Sequence, residues 1–241
     1  MGTGEGDFAR SHDSNAPAPW HYDSPMDLLS QTWSYVSENA GRFQQAMLVH
    51  LLLSFGALGI AMLVFIPLGV VASMGGKLTS TIVGAVAAVR VIPSLAVILL
   101  LLPVFGLGWL PALVALTLLA GPPLVINTDI GLRGVDPATL EAATGLGLTD
   151  AQRFWRVKVP LALPVIVTGV RSAAVEVIGS ATLAAFVGAG GLGTFITSGI
   201  TLMDERMLLS GALLVTLLAL LTEWLLARLE RRITPPGTAQ A

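Results

Sequence analysis

The 241-residue sequence contains no cysteine, and only 12% of its residues are charged, against 54% that are hydrophobic. Without cysteine there is no disulfide, no thiolate nucleophile and no zinc–cysteine centre. An average soluble domain carries about 25% charged residues. Half of that leaves too little charge to solvate a globule of this size, and the mean hydropathy of +0.79 argues further against a soluble enzyme. Low-complexity disorder of the chain as a whole is excluded, because it needs low hydrophobicity and high net charge. The formal net charge of −2 provides no basic field for nucleic acid. His12, His21 and His50 all fall in the first fifty residues without ligand-like spacing, so no metal site is expected. No Gly-Lys-Ser or Gly-Lys-Thr occurs, which excludes a Walker-type phosphate loop.

What is present is long uncharged sequence. Residues 51–76, 91–128 and 177–203 hold no formal charge. A bilayer core needs about 20 apolar residues per helix, and these runs predict an all-α, polytopic membrane protein of about five spans. The expected spans are Met47–Val71, Leu78–Leu102 (interrupted by Arg90 and Pro93), Trp109–Asn127, Leu161–Val187 (containing Arg171 and Glu176) and Met207–Leu229. Gly188–Ile200 is apolar but holds five glycines, so a surface or re-entrant segment packed on protein is expected there. The membrane domain is then 46–230. Residues 1–45 form an extracytoplasmic segment, disordered over 1–25, with a possible interfacial amphipathic helix over Met26–Gln45. Residues 231–241 form a disordered tail.

Basic residues set the orientation. Lys77, Arg133, Arg153, Arg156, Lys158, Arg228, Arg231 and Arg232 share one side; Arg10, Arg42 and Arg206 share the other. The richer side is read as cytoplasmic, which places the N-terminus outside and the C-terminus inside a multi-pass inner or plasma membrane protein.

The loop over about residues 129–160 is the most informative segment. It carries eight of the chain's 28 charged residues: Asp129, Arg133, Asp136, Glu141, Asp150, Arg153, Arg156 and Lys158. Loops this long are usually functional or disordered, and this one holds two helix signals. Asp136-Pro137 is an N-cap followed by proline at the first helical position, and Gly145 and Gly147 supply the stop. Thr149-Asp150-Ala151-Gln152 is a capping box, followed by Phe154, Trp155 and Val157 up to Pro160. A compact helix–glycine–helix unit of this kind suits either a docking surface or a self-packed cover over the membrane ends.

These residues carry a resemblance. Glu141-Ala142-Ala143, three residues, Gly147, nine residues, Val157, one residue, Val159-Pro160 resembles the EAA motif of ABC importer permeases, in which the later positions are Ile and Leu-Pro. Arg90-Val91-Ile92-Pro93-Ser94, Asn127-Thr128 with Val135-Asp136-Pro137, and Gly188-Ala189-Gly190-Gly191-Leu192-Gly193 are similar to osmoprotectant permeases for glycine betaine, carnitine or choline. The glycine run also resembles methionine-type permeases. The resemblance implies a type I importer permease fold. Glu141, Ala142, Ala143, Gly147, Val157 and Pro160 would then couple it to a separate ATPase. The chain itself would be no enzyme and hold no cofactor, ATP and Mg being bound by that partner. The implied partners are two ATPase subunits, a second permease copy or sibling, and an extracytoplasmic solute-binding protein.

Other features are weighed against this. Gly188–Gly193 also fits G-x-G-x-x-G, but it lacks a βαβ context and a following acid, so a dinucleotide site is not expected. Charges at a helix centre cost about 2.5–3.5 kcal/mol. Arg90, Pro93, Ser94 and Glu176 are therefore candidates for the translocation pathway or its gate, the alternative being ion pairs that lock helix packing. Arg171 and Glu176 are five apart and poorly placed to pair, so each is expected to find a partner elsewhere. A self-contained secondary transporter or channel would need an internal repeat with paired broken helices, which the sequence does not show. A membrane enzyme would need clustered reactive side chains inside the spans.

Overall fold

A computed structural model describes residues 25–233. Among these there is no strand. The elements are α1 Pro25–Glu38, α2 Ala40–Ala72, α3 Gly76–Val89, α4 Ser94–Phe105, α5 Trp109–Arg133, α6 Pro137–Gly145, α7 Asp150–Arg153, a π turn Phe154–Lys158, α8 Val159–Ser180, a 3-10 turn Ala181–Val187, α9 Gly193–Leu202 and α10 Glu205–Ile233. Among the described residues four helical runs are long and apolar enough to cross a membrane: Ala40–Ala72, Trp109–Arg133, Asp150–Val187 and Glu205–Arg232.

The second expected span is not one helix. Leu78–Leu102 divides into α3 and α4, which meet at 93°. The chain leaves α3 at Arg90 and re-enters helix after Pro93, which is extended at ψ 135°. Proline lacks an N–H and disfavours α conformation in the residue before it, so the break falls where the sequence carries it. Helix α2 starts well before Met47. The expected interfacial helix is shorter than Met26–Gln45, because Asn39 interrupts it and the chain turns into α2. Gly188–Ile200 contains no span: α9 has only ten residues and packs on α10 and the 3-10 turn. Helix α10 continues to Ile233, beyond the expected end of the membrane domain. Apart from Pro25, which opens α1, the expected disorder over 1–25 lies outside the described residues, as does most of the expected tail.

Helix α5 is the centre, packed between α2 and α8. Its neighbours approach closely because the contact positions are small. A Cβ placed at Gly69 of α2 would lie 2.6 Å from Thr128 Cβ, and one at Gly169 of α8 would lie 2.8 Å from the Pro123 carbonyl. Membrane helices associate by such close backbone approach, since lipid supplies no hydrophobic drive between them. Leu53, Ala57 and Ala61 of α2, Leu116, Ala120 and Leu124 of α5, and Ala173, Ala174 and Val177 of α8 form the main core.

The connectivity gives the bundle two ends. The loop end carries residues 134–158, between α5 and α8. The far end carries the turns around Gly106–Gly108 and Gly188–Leu192, joined by Gly108 N–H donating to the Val187 carbonyl at 2.7 Å.

Candidate functional site

The loop end is built from its caps. Asp136 accepts from Ala138 N–H at 3.0 Å and starts α6, with Pro137 behind it. The helix closes with Leu148 N–H donating to Ala143 O and Gly147 N–H donating to Thr144 O. Gly147 sits at φ +80°, the left-handed conformation that ends helices in this way. Thr149 and Gln152 then form the reciprocal capping box. Arg153 ties the two short helices together, donating to Thr144 Oγ1 at 2.6 Å and to Asp150 Oδ1 at 2.7 Å. At the root of the loop, buried Asp129 is bonded by Arg133 one turn later.

The motif residues divide between the surface and the loop's own packing. Glu141, Ala142, Gly147 and Pro160 are exposed. Ala143 is only 6% exposed, so of the two alanines one faces out and the other faces the protein's own loop. Leu140, Phe154 and Val159 pack against Leu132, Val135, Ala162 and Ile166, which anchors the unit to the ends of α5 and α8. Val157, half-buried, lies in the π turn, and such turns inside helices are frequent at functional sites. Two large apolar side chains are mostly exposed: Leu146 at 81%, and Trp155 at 68%, whose ring meets Phe154 edge-on with centroids 5.1 Å apart. Leu146 is absent from the set that the sequence motif picks out. Its signal was an apolar residue held between two glycines.

The pathway candidates are partly brought together. Arg90 lies at the α3–α4 break with Pro93 and Ser94 beside it, while Glu176 stands apart from them in sequence, in the last half of α8. Arg171 has the distant partners expected of it, both on α10: its Nε meets Glu223 Oε1 at 2.7 Å, and its Nη1 meets Glu230 Oε2 at 2.6 Å. At the far end the glycine run wraps over α2. His50, fully buried, has Nε2 3.1 Å from the Ile178 carbonyl. Its Nδ1 would lie 3.3 Å from a Cβ at Gly191. The run therefore shields a buried imidazole, and no strand stands beside it to make it a nucleotide loop. No group of three or more potential metal ligands occurs among the described residues.

The family model for the binding-protein-dependent transport system inner membrane component matches residues 65–235. The chain belongs to this family. Its curated relatives are permeases. The osmoprotectant import permease protein OsmW of Salmonella typhimurium is 41% identical over 211 residues, covering 86% of this chain and 98% of that one. The choline transport system permease protein OpuBB of Bacillus subtilis is 39% identical over 203 residues, covering 84% and 94%. The carnitine transport permease protein OpuCB of Listeria monocytogenes is 38% identical over 215 residues, covering 89% and 92%. Among solved structures, an inward-facing form of the MetNI methionine ABC transporter aligns with a TM-score of 0.74 at 23% identity, covering 81% of this chain and 98% of that one. An amino acid ABC transporter with histidines aligns at 0.69 and 20% identity, covering 82% and 97%. The fold is that of a type I ABC importer permease, and the chain is a permease subunit of an ABC importer.

Proposed function

We propose that this permease subunit admits a small quaternary ammonium osmoprotectant such as glycine betaine, choline or carnitine. A separate ATPase drives transport by gripping α6. The observation that carries the coupling role is the exposed face of the loop unit. Glu141 and Ala142 are exposed on a module pinned to α5 and α8, which also carries the mostly exposed side chains of Leu146 and Trp155. The named solutes of OsmW, OpuBB and OpuCB support the substrate class.

In this reading the loop end is cytoplasmic and the far end receives solute from an extracytoplasmic binding protein. The complex contains two permeases, this chain with a copy or a sibling, and two ATPase subunits that hold ATP and Mg. Closure of the ATPase pair moves α6 and α7 as rigid bodies and switches the bundle between inward-open and outward-open states. Arg90, Pro93 and Ser94 at the α3–α4 break, with Glu176 opposite, line or gate the path. A fixed cation is compatible with Glu176 and is repelled by Arg90 if that side chain points into the path.

Competition uptake in reconstituted complexes, with betaine, choline, carnitine and methionine side by side, tests the substrate. The three quaternary ammonium solutes are expected to compete and methionine to fail. Methionine, the solute named for MetNI, winning that assay would replace the substrate class and leave the permease assignment intact.

A further inference from the structure

The ion cluster between α8 and α10 lies outside both the loop and the gate. Two residues of α8, Thr168 and Arg171, are one turn apart on one face. Two residues of α10, Glu223 and Glu230, are two turns apart on one face. Arg171 grips both carboxylates, and the Thr168 hydroxyl donates to the second oxygen of Glu230 at 2.7 Å. All three charged side chains are half-buried.

Its position matters more than its strength. Asp150–Val187 is one helical run, so a displacement of the loop passes along hydrogen-bonded helix to Arg171, about 30 Å from Asp150 at 1.5 Å per residue. Along the chain, α8 reaches α10 only at the far end, through the 3-10 turn and α9. At the loop end the two helices are not linked in sequence. There the cluster forms a polar, directional link between them, held in fixed geometry by one guanidinium that bridges two carboxylates.

We propose that Arg171, Glu223, Glu230 and Thr168 are positioning residues for transport, clamping α10 to α8 so that both helices move when the ATPase displaces the loop. This rests on the functional reading above. Without the clamp, α8 would still follow the loop and ATP would still be spent, while α10 would lag and the path would open poorly.

The test measures uptake and ATP hydrolysis together in liposomes carrying the permease, its cognate ATPase and its binding protein, with the same four solutes as probes. Arg171→Gln is expected to lower solute moved per ATP about tenfold, within the usual span of coupling effects, with hydrolysis retained. Arg171→Lys should fall between the two, since one ammonium cannot hold both carboxylates. The exchange Arg171→Glu with Glu223→Arg should restore part of the ratio. Should Arg171→Gln not assemble, Glu223→Gln leaves Arg171 on Glu230 and is expected to show a smaller drop in the same ratio. A structural role alone would reduce the amount of assembled complex and leave the ratio per complex unchanged, and that result overturns the proposal. If the unaltered complex moves none of the four solutes with ATP, the functional reading fails and the clamp fails with it. An active unaltered complex with an unchanged ratio in the variants sinks the clamp alone.

Discussion

Gly147 at the loop end and Gly193 at the far end are both glycines at a helix boundary, and the surroundings of each differ in kind. Around Gly147 a Cβ would meet nothing within 4 Å, and the backbone stands at φ +80°. At Gly193 the φ is ordinary, but a Cβ would lie 2.0 Å from the Thr182 carbonyl oxygen. One glycine is there for the shape of the chain, the other for room. The loop end is thus made to present a surface, while the far end is made to close on itself over His50.

Three substitutions probe this contrast. The largest effect is expected at Gly193→Val. The side chain has only backbone to push against, so the cost should exceed about 3 kcal/mol, read as loss of monodisperse protein after detergent extraction. An unchanged yield would mean that the far end is looser than its packing indicates. At the loop end, Glu141→Arg should leave the thermal midpoint unchanged and reduce uptake about tenfold or more, because a reversed charge at a docking face costs several kcal/mol. Normal uptake in Glu141→Arg would remove the coupling role from α6. Gly147→Ala should cost only about 1 kcal/mol for the left-handed backbone, visible as a modest fall in thermal midpoint.

The smallest effect is expected for Asp204→Asn, at the residue that opens α10 at the far end. Burial disfavours its charge, but hydrogen bonds from the Arg206 side chain and the Met207 N–H outweigh this and hold its carboxyl below the usual range. The depressed value means that the stabilisation is complete above the unfolded aspartate value of about 3.9 and is lost as pH falls through the folded one. Asp204→Asn keeps the cap and should flatten the acid limb of a thermal-midpoint titration. Asp204→Ala should cost about 1 kcal/mol at neutral pH. Identical acid limbs in the Asp204→Asn variant and the parent would assign the acid loss to other carboxylates.

What was legible in the sequence was local. Asp136-Pro137, Gly147 and the Thr149–Gln152 box act over three or four residues, and each forms where its spacing places it. The break at Arg90–Pro93 was visible for the same reason, but its 93° angle was not, since packing against α5 and the far-end turn sets it. Charge partners were illegible. Arg171 lies 52 and 59 residues from Glu223 and Glu230, and no periodicity on either helix points to the other. The inward face of Ala143 was hidden too: in a nine-residue helix of small side chains, the apolar pattern does not distinguish the buried side from the exposed one.

The π turn at Phe154–Lys158 bears on how this chain can change length. A π turn holds one residue more than an α turn, and each residue added to a helix rotates the remainder of that helix by about 100°. Deleting one residue here would convert the turn to regular α-helix, with the short loop helices and the long membrane helix keeping their faces. The same deletion about ten residues later would swing Arg171 away from its carboxylates. The turn is therefore a place where an insertion or deletion can be absorbed, between the exposed loop unit and a helix long and apolar enough to cross the bilayer.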